Sequence, residues 1–413
     1  MSDNSVVADT KQSSPNTGDM KNRSFFLTGL PLFVLAHGAH HLMTALHQPM
    51  LPYMQQEFNL NYTKSAAITS AFSISGGASQ LPSGWLADRM GPAVLITMGI
   101  FGVAVGGLFI GLSQSYLFLI AALIFMGLMS GGYHPASTPL ISMSVPVHQR
   151  GRAIGIHLVG GTGMFFLTPI IASFIAGIWG WRGVYLTLAI PSAIFGISFF
   201  FYLNKRYDRS RVEEMKRKQT EERPPQPGYK RRLWAFMIMM VLGGGAGATV
   251  HSFLTLYIVD VLGATKAQAA MALSFIFVSG FYGAPLGGYI SDKIGSVKVI
   301  IATDILSGLI IFGLISVQEY GMAFKTILFT MGAIQAIRFP VAEVFIMSQS
   351  PAKHRSTIYG IYYSTMQYTG AIFAPIMGYF IDLYGFGVMF NFSAVAVTAV
   401  AVITAFFIWD AKD

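Results

Sequence analysis

Apolar stretches recur along the chain from Phe25 to Phe407, many of them about 20 residues long, which is the length at which an α-helix crosses the hydrocarbon core of a bilayer. Short polar turns punctuate them. The pattern predicts twelve helices. Six lie at approximately 26–52, 65–88, 93–113, 116–143, 151–177 and 184–204, and six at 233–260, 267–291, 297–317, 323–348, 356–381 and 387–408. Between the two sets runs Lys205 to Arg232, with eleven Lys or Arg, four Glu, one Asp and the pair Pro224-Pro225. A segment this polar reads as a solvated linker.

The two sets are copies. Gly84-Trp-Leu-Ala-Asp88-Arg89-Met-Gly91 returns as Gly288-Tyr-Ile-Ser-Asp292-Lys293-Ile-Gly295, displaced by 204 positions. At the same offset His47 and Tyr53 meet His251 and Tyr257, and His134 meets Arg338. With one inserted residue, Pro146, Arg150 and Gly155 correspond to Pro351, Arg355 and Gly360. An even number of helices separates the copies, so both insert the same way up, related by a pseudo-two-fold axis along the membrane normal. The expected fold class is therefore an all-α membrane protein. It has a polar tail (1–24), a first six-helix bundle (25–204), a linker (205–232), a second bundle (233–409) and a short tail (410–413).

Composition agrees. Apolar residues make up 53% of the chain and charged residues 11%, against about 25% charged in soluble domains. No Cys is present, which excludes disulfides and thiolate chemistry. The first 24 residues carry no apolar signal core. The net charge of +9 could suggest nucleic acid, but its placement does not. With both termini cytoplasmic, 22 of the 27 Lys and Arg fall in tails and inner loops, while Lys64, Arg182, Lys266 and Lys325 fall in outer loops. This is the positive-inside asymmetry of a membrane protein.

The doubled Gly…Asp-Arg/Lys…Gly loop and the two similar halves resemble the major facilitator superfamily over nearly the whole chain. The resemblance implies a central cavity between two six-helix bundles, alternately open to each side, in a protein that works as a monomer. There are departures. Pro92 and Ala93 stand where further basic residues are usual. Ile124, Phe125 and Met126 occupy the region where many proton-coupled drug exporters carry an arginine. The glycine-proline pattern of helix five is partial, around Gly160, Gly161, Gly163 and Pro169. Within the superfamily, Ala36-His37…His41-Leu42, Tyr133-His134-Pro135-Ala136, Arg150-Gly-Arg152-Ala-Ile-Gly155-Ile-His157 and Gly180-Trp-Arg182 are similar to the branch around the fosmidomycin-resistance exporters. By that resemblance Asp88, Arg89, Asp292 and Lys293 gate the halves, with Arg150, Arg152 and Arg355 as pairing partners.

Helix one carries the densest intramembrane polar pattern. His37, His40, His41, Thr44, His47 and Gln48 fall within about 120° of one face at 100° per residue, opposite Leu35, Leu42 and Leu46. Such a stripe should face protein or a wet cavity, because lipid leaves polar groups unsatisfied. Imidazole suits substrate contact or proton handling. Arg338, near the middle of helix ten, needs an anionic partner: the substrate, or a structural ion pair with Glu343 or Asp304. Its planar fork suits a carboxylate, phosphonate or phosphate. Glu343 and His41 are the candidates for proton coupling. Tyr133, His134, His251 and Gln367 are further candidate substrate contacts, and His157 and Tyr257 weaker ones. Gly243-Gly-Gly-Ala-Gly247 lacks the Lys-Ser/Thr of a phosphate loop and reads as close helix packing.

These residues imply a gradient-driven carrier for a small organic anion or an amphiphilic anionic drug, with the proton as coupling ion, no cofactor, no resident metal and no nucleic-acid partner. The resemblance leans toward export. Two alternatives stand: a carrier of a metal ion or chelate through the helix-one histidines, and a non-transporting membrane receptor or scaffold.

Overall fold

The computed structural model describes residues 25–145, 150–207, 227–350 and 355–411. The expected tail 1–24, most of the linker and the last two residues lie outside them. Every regular element is helical among the described residues, and they resolve into twelve helices. In the first half, α1 follows a π-helical turn (Phe25–Gly29) as two segments, Leu30–Thr44 and His47–Glu57. Helix α2 is Tyr62–Met90, α3 is Pro92–Gly111, and α4 is Tyr116–Ser130 plus Tyr133–Met143. Arg150–Arg206 contains α5 (150–179) and α6 (181–206), divided at Gly180. The second half has α7 (Tyr229–Asp260), α8 (Lys266–Phe277 plus Gly280–Ile294), α9 (Ser296–Ser316) and α10 (Met322–Gln349). Arg355–Ile408 contains α11 (355–384) and α12 (386–408), divided at Gly385.

The two long helical runs must turn back. Fifty-seven continuous residues would reach about 85 Å at 1.5 Å per residue, far beyond a bilayer core. Gly180 (φ +68°) and Gly385 (φ +79°) make the turns in a backbone region that only glycine enters cheaply. As a result Ala153 of α5 and Phe199 and Leu203 of α6 share one core at the linker end. At the opposite, far end, side-chain caps start the helices. Asn61 accepts from the Lys64 amide at 2.9 Å, Ser115 caps α4, and Thr265 and Gln268 form a capping box.

Two helices break where proline removes a backbone donor. Pro49 has no N–H for the carbonyl of Ala45 and its ring crowds that carbonyl. Helix α1 accordingly breaks at Ala45–Leu46, and the Thr44 carbonyl beside the break accepts from His47 Nδ1 at 2.9 Å. The single helix expected over 26–52 is thus two. In α4, Pro135 likewise leaves the carbonyl of Gly131 unpaired within the helix, at the Gly131-Gly132 break.

Close helix approach is set by small residues. A Cβ on Gly160 of α5 would lie 2.1 Å from the Val34 carbonyl oxygen of α1, and one on Gly332 of α10 would lie 2.0 Å from the Ile276 carbonyl of α8. Backbone cannot give way as a flexible side chain can. Gly160→Val is expected to destabilise the protein by about 1–3 kcal/mol through overpacking, seen as a lower thermal-unfolding midpoint in detergent; an unchanged midpoint would contradict the α1–α5 contact.

The core is divided unevenly. One cluster at the far end contains residues of both halves, among them Met50, Met54 and Ala66 with Phe253, Leu256 and Met377. Toward the linker end there are two clusters, one per half: around Phe33, Ile96, Tyr133 and Leu203, and around Phe236, Ile300, Phe345 and Tyr362. Hydrogen bonds across the halves follow the same distribution. At the far end Asp382 of α11 accepts from the amides of Tyr62 and Thr63 at 2.9 and 3.1 Å and from Thr63 Oγ1 at 2.7 Å, while Tyr62 Oη donates to Asp260 at 2.9 Å. Deeper in, Ser70 Oγ donates to the Ala371 carbonyl at 2.6 Å and Ser274 Oγ to the Phe166 carbonyl at 2.8 Å. At the linker end Arg231 and Arg232 tie α7 to Asp410 after α12. The hydrogen bond from Arg231 holds the Asp410 carboxyl below the usual carboxylate range.

Candidate functional site

A cavity of about 160 Å³ lies between the halves. His40, His41, Thr44, His47 and Gln48 of α1 line it, with His134 of α4 and Gln367 of α11. Gln80 and Ser130 add polar groups, and Phe72, Phe165 and Phe277 add aromatic surface. Gln80 Nε2 donates to Gln367 Oε1 at 3.1 Å across the halves. No carboxylate lines the cavity among the described residues. Such a surface is amphipathic and uncharged when its imidazoles are neutral.

The imidazoles are held by backbone. His37 Nδ1 donates to the His157 carbonyl at 2.9 Å, His157 Nδ1 to the Phe33 carbonyl at 3.1 Å, and His40 Nδ1 to the Gly99 carbonyl at 2.5 Å. A carbonyl only accepts, so in each ring Nδ1 carries the proton, and the neutral form leaves a lone pair on Nε2. Thr44 Oγ1 donates to the His40 carbonyl at 3.1 Å, leaving its lone pair for His41 Nδ1 at 3.4 Å. The rings pack together. His37 and His157 stack with centroids 4.3 Å apart, and His40 stacks on Tyr133 at 4.6 Å. The ring of His134, on α4, stands 5.2 Å from that of His37 and 5.5 Å from that of His41.

Other expected contacts sit elsewhere. His37 is 3% exposed and Tyr133 fully buried, both behind the cavity wall. His251 accepts from Gln48 Nε2 at 3.1 Å across the halves and is itself outside the lining. Tyr257 is buried in the far-end core.

Arg338 does not line the cavity. Its guanidinium grips Asp304 of α9 with Nε at 2.5 Å from Oδ1 and Nη2 at 3.2 Å from Oδ2. The anionic partner that a mid-membrane arginine needs is therefore a carboxylate of the protein, and not Glu343. Tyr363 Oη donates to Glu343 Oε1. Tyr362 lies beside Tyr363, ring centroids 5.4 Å apart. With the one-residue insertion it is the repeat counterpart of His157, as Arg338 is of His134. The corresponding regions of the two halves thus hold different chemistry: imidazoles in the first, an ion pair and a hydrogen-bonded carboxyl in the second.

Of the expected gating residues, Arg89 and Lys293 are exposed, and Lys293 Nζ stands 4.4 Å from the Tyr289 ring centroid. The side chains of Asp88, Arg150, Arg152, Asp292 and Arg355 lie outside the described residues. The loop backbone is duplicated faithfully: Gly91 and Gly295 end their helices at φ +86° and +93°.

Sequence reasoning missed the aromatic part of the lining. Phe72, Phe165 and Phe277 are three of 33 phenylalanines, with nothing local to distinguish them from lipid-facing ones. Gln80 and Ser130 gave a weak signal, as polar residues inside apolar helices.

Comparison with known proteins places this architecture. The family model described as Major Facilitator Superfamily matches residues 33–318 and 252–413. The chain is 26% identical over 363 residues to the multidrug resistance protein MdtG of Proteus mirabilis (strain HI4320), covering 86% of this chain and 89% of that one. It is 26% identical over 377 residues to MdtG of Salmonella paratyphi C (strain RKS4594), covering 89% and 91%. Among solved structures, a POT family transporter in complex with 5-aminolevulinic acid superposes with a TM-score of 0.76 at 15% identity over 92% of this chain and 96% of that one. A bacterial homologue of the human lysosomal transporter Spinster, inward-facing and occupied, gives 0.74 at 16% identity over 94% and 96%. The chain belongs to the major facilitator superfamily and is a multi-pass membrane transporter of the secondary type.

Proposed function

We propose that this transporter exports small amphiphilic compounds bearing an acidic group, by alternating access coupled to protons, with both termini in the cytoplasm. The observation that carries the reading is the cavity between the halves: imidazoles, amides and hydroxyls interleaved with phenylalanines, as in the His41–Phe165 and His47–Phe72 ring contacts, and no carboxylate among the described lining. Apolar surface with a few convergent polar groups is what a small-molecule site needs. An acidic ligand meets no like charge there and finds the side-chain amides of Gln48, Gln80 and Gln367 as donors. The multidrug naming of the relatives supports the drug class. The excess of Lys and Arg on the linker side supports the orientation. In that orientation the joined core faces outward and the divided cores face the cytoplasm, the arrangement of a carrier open to the inside.

Arg338 serves this site indirectly, by holding Asp304 across α9 and α10. Glu343 is the coupling carboxyl of the proposal. It lies inside a membrane helix, partly buried, with the Tyr363 hydroxyl as donor, where ionisation and neutralisation change the cost of burial sharply.

The test is transport in proteoliposomes with an imposed pH gradient and a fluorescent, acid-bearing amphiphile. The parent protein is expected to accumulate it against its gradient. Glu343→Gln should lose that accumulation, while exchange of the same compound across the membrane without a gradient persists. Accumulation by Glu343→Gln equal to the parent would remove Glu343 from the coupling. Absence of flux for every acidic, neutral and basic amphiphile would remove the export reading.

A further inference from the structure

The imidazole cluster of the first half carries more than a polar cavity wall requires. We propose that His37, His41 and His134 form a binding site for a divalent transition-metal ion of the imidazole-preferring class, such as Zn²⁺, Ni²⁺ or Cu²⁺. One ligand nitrogen from each of the three residues lies within 4.8 Å of the other two. They come from two helices, so sequence spacing alone assembles only the α1 pair.

Three features make this a built site. The first is the tautomer. His37 Nδ1 is pinned as a donor to the His157 carbonyl, and His41 Nδ1 faces the Thr44 hydroxyl whose own proton goes to the His40 carbonyl. Metal-binding imidazoles show this arrangement, in which the second ring nitrogen donates outward and fixes the ligating one. The second is the unused lone pair. His37 Nε2 is buried with no hydrogen-bond partner, on a residue only 3% exposed, and a buried acceptor left unmade is costly. The third is the room left for a ligand. Gly161 of α5 faces the rings, and a Cβ there would sit 2.6 Å from His37 Nε2 and 2.9 Å from His41 Cδ2. A side chain at that position would fill the space the lone pairs address.

The donor set decides the class of ion. Three neutral imidazoles without carboxylate or thiolate favour Zn²⁺, Ni²⁺ or Cu²⁺ over Mg²⁺ or Ca²⁺, which require oxygen ligands. They also leave the ion's double charge uncompensated. His41 and His134 line the cavity while His37 stands behind them, so the open coordination position faces the cavity, where an anionic group would complete the sphere. This goes beyond the export of acidic amphiphiles, and it stands or falls on metal binding whichever solute is carried.

The test uses the full-length protein, purified without a polyhistidine tag and stripped with a chelator. Zn²⁺ is titrated against a chromogenic competitor, and Co²⁺ is followed by its d–d absorption. One ion per chain is expected, with tetrahedral Co²⁺ intensity and no competition from Mg²⁺. H41A and H134A should each weaken Zn²⁺ binding by about 100-fold. Gly161→Ala, which keeps every ligand, should weaken it by about tenfold or more. His251→Ala, in the second half and outside the cluster, should leave it unchanged. Thermal unfolding of each variant separates loss of the site from loss of the fold. Parent protein that binds no Zn²⁺ more tightly than the H41A/H134A double variant, or equal losses in H251A, would overturn the site. Drug efflux that survives chelation in vesicles leaves the export reading intact whatever the metal result.

Discussion

Arg338→Ala is expected to lower the stability of the protein by about 3–5 kcal/mol, the cost of leaving one partner of a buried ion pair uncompensated. Asp304 is only 8% exposed, and both nitrogens that Arg338 offers it are within hydrogen-bond reach. Removing the guanidinium strands a carboxylate inside the second bundle. The double variant Arg338→Met/Asp304→Leu should recover most of the loss, because the pair as a whole contributes far less than either half costs when alone. Thermal unfolding in detergent reads both. A single variant as stable as the parent would mean that the pair is not desolvated, and failure of the double variant to recover would assign Arg338 a role beyond Asp304. Direct contact between Arg338 and an anionic substrate predicts a different outcome, in which folding is untouched and substrate affinity alone collapses.

Asp382→Ala should tip the balance between the two open states. The carboxylate belongs to α11 of the second half, yet it accepts three hydrogen bonds from the first turn of α2 in the first half. It also places negative charge at the positive end of that helix. Opening of the far end would break these bonds. At roughly 0.5–1 kcal/mol each for exposed groups, their loss favours far-end opening by about 2 kcal/mol, or roughly 30-fold at 1.4 kcal/mol per tenfold. The chain has no Cys, so a single cysteine introduced at Ala66, buried at 2% in the joined core, reports on that opening through its alkylation rate. A rate unchanged by Asp382→Ala would deny Asp382 a role in holding the halves together. Tyr62→Phe, which removes one bond to Asp260, should give a smaller effect in the same direction.

Much of the fold was legible in the sequence because bilayer physics leaves few options. A chain this apolar must close its backbone bonds within helices, and a repeat of 204 residues fixes how two sets of six relate. Helix boundaries were readable to a few residues, but the breaks within α1, α4 and α8 were not. Pro49 signalled the one in α1, but hydropathy runs smoothly through. The site was harder. The angular argument along α1 holds for the segment from His40 to Gln48, where the residues of one face share the cavity. It stops at His37, because the carbonyl of His157, on a helix that is far along the chain but packed against α1, takes hold of that ring. Arg338 is a similar case. Sequence supplied the need for an anion and named Asp304 among the possible partners, but the choice depends on how α9 and α10 lie against each other. The proximity of His134 to the α1 imidazoles likewise appears only once α1 and α4 are packed.

The elbow in α1 has no counterpart in its repeat partner. Where the first half has Pro49 the second has Phe253, and α7 runs unbroken from Tyr229 to Asp260. The molecule is thus symmetric in outline but not in stiffness. An even swing of the bundles would flex one central rod and leave the other straight. A solute pressing on His41 or His47 pushes against a jointed lever, whereas load passed through Gln48 to His251 meets a rigid post.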